Sequence, residues 1–149
     1  MNNPVIATNR KAFHEYNILE KFEAGIKLKG SEVKSAREGK ASLKQSYVLI
    51  IKGEAWLRGS HIAQYSHTGF EGHDPVRNRK LLLHKREIQK IDSILAEKGL
   101  TAIPTKLYFK GGIIKLEFGL AKGKKLYDKR DAKKKRDVQR DMQRAIRRK

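Results

Sequence analysis

The chain has no cysteine, which excludes disulfides and thiolate metal sites and suits a reducing cytoplasm. It also lacks any apolar run near the ~20 residues that a membrane helix needs; one of the longest is only Val48 to Ile51. Met1 to Arg10 is polar and has no signal-peptide core, so a cytoplasmic protein with no membrane partner is expected. Acid is scarce. The 16 Asp and Glu face 35 Lys and Arg, a formal net charge of +19. That imbalance points to a polyanionic partner, nucleic acid before an anionic membrane surface.

Catalytic signatures are missing as well. Gly119-Leu120-Ala121-Lys122-Gly123-Lys124-Lys125 approaches a phosphate-binding P-loop, but only three residues separate its glycines. Lys125 then stands where a Ser or Thr must meet magnesium. His14-Glu15-Tyr16-Asn17-Ile18 begins like a zinc-protease helix and has Ile18 in place of the second histidine. His67 and His73 share a loop with no further ligand cluster nearby, and no Ser-His-Asp set stands out. The chain is therefore expected to be no enzyme, with no cofactor and no metal.

What is present divides into a body, residues 1–121, and a basic tail, residues 122–149. The tail holds fourteen Lys or Arg against four Asp, a net +10, and one aromatic. It cannot bury enough apolar surface to offset the entropy of ordering itself. Val138, Met142, Ala145 and Ile146 do share a narrow helical face. The spacings Asp131–Lys135, Asp137–Arg140 and Asp141–Arg144 allow side-chain pairs of only ~0.2–0.5 kcal/mol each. Alone these do not hold a helix of this length. A polyanion orders such a segment, because neutralised phosphates release counterions.

The body reads as mainly β. Even positions from Tyr16 to Leu28 carry Tyr16, Ile18, Phe22, Ala24, Ile26 and Leu28, a long half-buried strand bent near Glu20. Gly30-Ser31 reads as turn and N-cap, Glu32 to Glu38 as a short helix and Gly39 as its stop. Tyr47–Ile51 and Ala55–Leu57 flank a Lys52-Gly53 turn, and His61–Tyr65 suggests another short strand. Ser66 to Asn78 reads as a loop. Ile88, Ile91, Ile94 and Leu95 have helical spacing, ended by Gly99. Thr101–Phe109 and Ile113–Leu120 form a hairpin about Gly111-Gly112, with Pro104 at an edge or bulge. About six short antiparallel strands and a few helices predict a small closed or nearly closed barrel.

Several basic and aromatic residues are candidates for RNA contact. Asn9-Arg10-Lys11-Ala12-Phe13-His14 reads as an arm, with Phe13 either in the core or stacked on a base. Glu23 is outward on the long strand, where a carboxylate is either solvated or accepts from a base amino group. Gly25 beside it leaves a flat spot for close approach. Lys34 and Arg37 lie at i,i+3 on one helix face, and Arg77, Arg79, Lys80, Lys85 and Arg86 rim the apolar run Leu81-Leu82-Leu83. A basic rim around a buried apolar segment either keeps the surface soluble or meets phosphates, and the net charge of the body favours phosphate contacts.

Five segments in register resemble the SsrA-binding protein (small protein B) family: Asn-Arg-Lys-Ala-Phe-His at 9–14, Glu-Ala-Gly-Ile at 23–26, Glu-Val-Lys-Ser at 32–35, Arg-Lys-Leu-Leu-Leu-His-Lys at 79–85 and Gly-Lys-Lys-Leu-Tyr-Asp-Lys-Arg at 123–130. The resemblance implies an oligonucleotide-binding (OB)-like β-barrel with about three helices, and a tail that is disordered when free and helical on the ribosome. It implies binding to the tRNA-like domain of transfer-messenger RNA (tmRNA), at its D-loop region, by Asn9, Glu23, Gly25, Lys34, Lys80 and Leu81. Arg10, Lys11, Arg37 and Arg79 join that set as neighbouring basic residues. It further implies a ribosomal face of His14, Gly123, Lys124, Lys125, Tyr127, Asp128, Lys129 and Arg130, meeting 30S rRNA at the decoding centre and the empty mRNA channel. Elongation factor Tu with alanyl-tmRNA is the further partner, and a monomer is expected. The implied outcome is rescue of stalled ribosomes by trans-translation. A ribosomal protein with a threaded tail and an RNA-modifying or nucleotide-hydrolysing enzyme are the alternative classes. A synthetic peptide of residues 122–149 should give a coil-like circular dichroism spectrum in plain buffer; full helical ellipticity would contradict this reading.

Overall fold

In a computed structural model the described residues are 4–65 and 73–123. They form, in order, β1 Val5–Thr8, α1 Arg10–Glu15, β2 Tyr16–Ile26, α2 Gly30–Arg37, β3 Ala41–Ser42, β4 Tyr47–Ile51, β5 Glu54–Arg58, β6 His61–Ile62, β7 Arg79–Leu82, α3 Lys85–Lys98, β8 Thr101–Lys110 and β9 Ile113–Gly123. The tail from residue 124 and residues 66–72 of the expected loop, with His67, lie outside the described residues.

The long strands and their turns follow from residue chemistry. β2 alternates outward and half-buried side chains, and its pairing with β9 shifts register between Ile18 and Glu20, at the expected bend. The β4–β5 hairpin turns through Lys52 and Gly53, at φ 51 and 74. The β8–β9 hairpin turns through Gly111 and Gly112, at φ 58 and 78. Two successive positive φ angles give the turn whose twist matches paired strands. Pro104 falls at the bulge between Pro104 and Lys106, where a missing N–H disrupts no regular ladder.

Pairing runs β1-β8-β4-β5-β7-β2-β9, and β9 pairs back to β8. Six strands therefore close a ring, the barrel expected, with β1 appended to β8. On β8, Val48 pairs with Ala102, while Val5, Ala7 and Thr8 pair further along. The ring encloses Ala24, Leu57, Leu81, Leu107, Leu116, Phe118 and Leu120, all nearly inaccessible. Phe22 stacks on Phe118 with centroids 5.7 Å apart. In α3, Ile88 and Ile91 are buried, and Gly99 takes the left-handed cap with its N–H bonded to Leu95 O at 3.1 Å.

Some expected elements shift. α2 starts at Gly30, earlier than expected, because the Glu32 carboxylate accepts from the Lys29 N–H at 2.8 Å and completes the first turn. The strand expected over His61–Tyr65 shortens to β6, which pairs with β3. Asn9–His14, read as an arm, is mostly the short helix α1. β9 runs through Gly123, so Lys122 and Gly123, placed in the tail, end a strand.

The largest departure is Arg79. It was expected on an RNA-facing rim, yet it is fully buried. Its Nε donates to Glu32 Oε2 at 2.5 Å, its Nη1 to Ser60 O and Oγ at 3.2 and 3.0 Å, and its Nη2 to Pro75 O at 3.1 Å. Arg77 Nη2 reaches Glu32 Oε1 at 2.5 Å. One ion-pair network thus ties α2 to β7, to Ser60 before β6, and to the 73–78 segment. Burial alone raises the Glu32 carboxyl, but hydrogen bonds from Arg77, the Lys29 N–H and Arg79 outweigh it and the net direction is down. Burial lowers the Arg79 guanidinium, opposed by Glu32. Because the carboxylate is depressed on folding, its stabilisation is complete above the unfolded value of about 4.3 and is lost as pH falls through the folded value. Glu32→Gln should cost about 3–5 kcal/mol in urea unfolding and flatten the loss of stability below about pH 4. A loss below 1 kcal/mol at neutral pH would contradict the network's role.

Candidate nucleic-acid interface

The strand period decides which charges face solvent. On β7, Arg79 and Leu81 point into the ring, so Lys80 and Leu82 point out. On β2, Glu23 is exposed and Gly25 pairs with Leu82 on one side and Lys115 on the other. These residues, with the β4–β5 turn and the start of α3, wall an open cleft of about 560 Å³. It gathers Glu23, Gly25, Lys80 and Leu81 from the expected set. Lys80 stands across from Trp56 and pairs with Glu54 at 3.2 Å.

The members of that set differ in availability. Leu81 is 1% exposed, so it supports the cleft from beneath. The flat spot expected at Gly25 is covered: a Cβ there would lie 3.2 Å from Leu82 Cβ, and Leu82 itself is 54% exposed. Asn9 is buried and caps α1, its Oδ1 accepting from the Ala12 N–H at 3.3 Å and its Nδ2 donating to Pro104 O at 2.9 Å. Lys34 and Arg37 are exposed on α2, with Lys34 Nζ 5.6 Å from the Tyr65 ring centroid. Arg10, Lys11 and His14 are exposed on α1. Phe13 is neither core nor free, being 36% exposed under Lys21 Nζ at 5.6 Å.

Glu23 has partners that sequence reasoning missed. Tyr108 Oη donates to Glu23 Oε2, and Lys110 Nζ lies 3.1 and 3.3 Å from the two carboxylate oxygens. The Tyr108 hydrogen bond is the main cause that lowers the Glu23 carboxyl, with Lys110 and Lys115 adding to it against slight burial. Burial and this same carboxylate push the Tyr108 hydroxyl up. The signal was in the second hairpin, where Lys106, Tyr108 and Lys110 alternate outward beside Lys115 and Glu117.

Gly123 pairs with Tyr16, immediately after α1. The expected ribosomal residues His14 and Gly123 therefore sit at one end of the ring; Lys124, Lys125, Tyr127, Asp128, Lys129 and Arg130 lie outside the described residues. His73 is buried, with Nδ1 at 2.9 Å from Ser31 Oγ and Nε2 at 2.8 Å from Ile62 O, so both ring nitrogens bond within the fold.

A closed antiparallel ring with exposed basic side chains on its strands, a helix flank and a strongly cationic C-terminus defines a polyanion-binding β-barrel protein. The family model described as SmpB protein matches residues 6–148. The SsrA-binding protein of a Sulfurihydrogenibium species is 55% identical over 146 residues, 98% of this chain and 96% of its own. That of Geobacter sulfurreducens is 53% identical over 149 residues, 100% and 97% respectively. A solved structure described as "tmRNA-SmpB: a journey to the center of the bacterial ribosome" is 47% identical and superposes with a TM-score of 0.68, covering 82% of this chain and 86% of that one. This chain belongs to the SmpB family of SsrA-binding proteins.

Asn9 gives a test that separates cap from contact. Asn9→Ala should lower stability by about 1–2 kcal/mol in urea unfolding, with Asn9→Ser recovering part of it. Unchanged stability in Asn9→Ala would show that the cap contributes nothing.

Proposed function

We propose that this protein is a non-catalytic RNA-binding adaptor for ribosome rescue. Its barrel binds the tRNA-like domain of tmRNA at the D-loop region and stands in for the missing anticodon stem. With elongation factor Tu and alanyl-tmRNA it is delivered to a ribosome stalled on a message without a stop codon. Its tail enters the vacant mRNA channel, and the nascent chain is then tagged for proteolysis. The protein acts as a cytoplasmic monomer. Among the described residues no helix is long and apolar enough to cross a membrane.

The observation that carries this reading is the 47% identical solved structure, whose stated subject is tmRNA and SmpB in the bacterial ribosome. The family match through residue 148 supports extending the reading to the tail. Physical chemistry supports a division of labour. Lys34, Arg37 and Lys80 are exposed or half-exposed on folded elements and meet RNA at fixed spacing. Arg79 and Leu81 serve by holding Lys80 in place, and Asn9 by capping the helix that bears Arg10, Lys11 and His14. The tail is the polyelectrolyte arm, and Lys124 to Arg130 are its first ribosomal contacts.

Ending the chain after Gly123 preserves β9, so it tests the tail without cutting the ring. The truncated protein should keep affinity for the tRNA-like domain within about threefold, since base and phosphate contacts on the barrel remain. It should lose tagging of stalled chains in a reconstituted translation system. Full tagging by the truncated protein would overturn the proposed mechanism.

A further inference from the structure

On the side of the ring away from the Lys80 cleft, the seam between β4 and β8 opens. The ring closes in the order β8-β4-β5-β7-β2-β9, so β8 and β4 stand opposite β7 and β2. Between β4 and β8 the registered pairing is one couple, Val48 with Ala102. Beside that couple lies a pocket of about 300 Å³. Its lining runs from buried Ala12 and Ile103 through Tyr16 and Tyr47 to exposed Lys11 and Gln45. Gln45 takes φ 63, a conformation uncommon for residues other than glycine. Two contacts hold it there. Ser46 donates both its N–H and its hydroxyl to Leu43 O, and Gly59 packs so close that a Cβ would lie 2.8 Å from Gln45 O. Backbone strain that the surrounding fold maintains clusters at binding sites. Across Asn9 and Lys11 the pocket meets a second groove, whose lining adds Arg10, Ser42 and Lys44.

We propose that this pocket takes one unpaired nucleobase of 30S ribosomal RNA, with Tyr47 as its stacking surface. A base has apolar faces and a polar edge, and the lining divides the same way, apolar within and polar at the mouth. The Gln45 amide presents a donor beside an acceptor, a pattern that base edges complement. Glu15 also lines the pocket and engages Lys11 at 3.8 Å, so its carboxylate repels phosphate and leaves the space to a neutral ring. Arg10 and Lys44, in the adjoining groove, are placed for the phosphates next to that base. The surroundings name the source. His14 is on the same short helix, and Tyr16 pairs with Gly123, the last residue of β9. A tail that enters the mRNA channel from there brings this end of the ring against 30S rRNA, while tmRNA takes the opposite cleft.

This assignment rests on the proposed function, and the experiment separates the two. The full chain is titrated against vacant 30S subunits and, separately, against a transcript of the tRNA-like domain. Tyr47→Leu keeps apolar volume without the ring and should weaken 30S binding about tenfold, the scale of one base–aromatic stack. Tyr47→Phe keeps the ring and should stay within about twofold of wild type. Both should bind the tRNA-like transcript as wild type does. Gln45→Gly suits the positive φ, so it should not lower the urea midpoint, yet it should weaken 30S binding about threefold. A merely structural role would lower stability and 30S binding together. On the subunit, wild type and Tyr47→Phe should shield one rRNA base from a base-specific alkylating reagent, and Tyr47→Leu should leave that base reactive. If Tyr47→Leu binds 30S like wild type, or shields the same bases, the pocket is wrong and the function stands. If it weakens the tRNA-like transcript instead, the base belongs to tmRNA and the ribosomal assignment is overturned. If wild type prefers neither target over random duplex RNA, the function and the pocket fall together.

Discussion

The buried ion pair between Glu32 and Arg79 is the constraint on which the rest of the molecule depends. Two fully buried charges are tolerated only because each is hydrogen-bonded: Glu32 by Arg79, Arg77 and the Lys29 N–H, Arg79 also by Ser60 and Pro75. The pair also sets strand register. A one-residue slip of β7 would turn Arg79 outward, strand the Glu32 charge inside and drive Lys80 into the core. The interior charge therefore determines where the exterior one sits. Lys80, Leu82 and the cleft they border inherit their positions from that choice.

Outside the ring, the surface mixes cations with a few carboxylates that have specific partners. Glu54 meets Lys80, Glu23 meets Lys110 and Tyr108, and Glu20 meets Lys90. Exposed pairs of this kind contribute little to stability. Their consequence is orientation: a lysine held by a carboxylate presents its charge in one direction. The wide excess of base supplies attraction, and these paired sites supply shape. Attraction without shape would bind any polyanion, which is the regime the C-terminal tail occupies by composition.

Much of the fold was legible because the relevant forces act between near neighbours. Gly111-Gly112 and Lys52-Gly53 announced hairpins, Pro104 announced an edge or a bulge, and Ile88, Ile91 and Gly99 announced a helix and its stop. What was hidden depends on partners far apart in the chain. Asn9 caps α1, but its second bond reaches Pro104, 95 positions away. The helix of six residues has too few turns to show a period. Arg79 looked like a surface cation because its acid lies 47 positions earlier. Tyr108 was hidden for the same reason, 85 positions from Glu23. Among the candidate residues, those read as exposed on helices, Lys34 and Arg37, were legible from spacing. On the strands, Arg79 was misjudged because the inward face there carries a charge.

The central claim is that this barrel selects a tRNA-shaped RNA beyond what its charge alone attracts. Isolating the full-length chain from bacterial cells at moderate salt and sequencing the RNA retained on it tests that claim most directly. The account predicts tmRNA enriched far above its cellular share, with the enrichment surviving washes that remove bulk RNA. Retained RNA that mirrors the cellular pool, or tmRNA lost in step with every other species as salt rises, would contradict it.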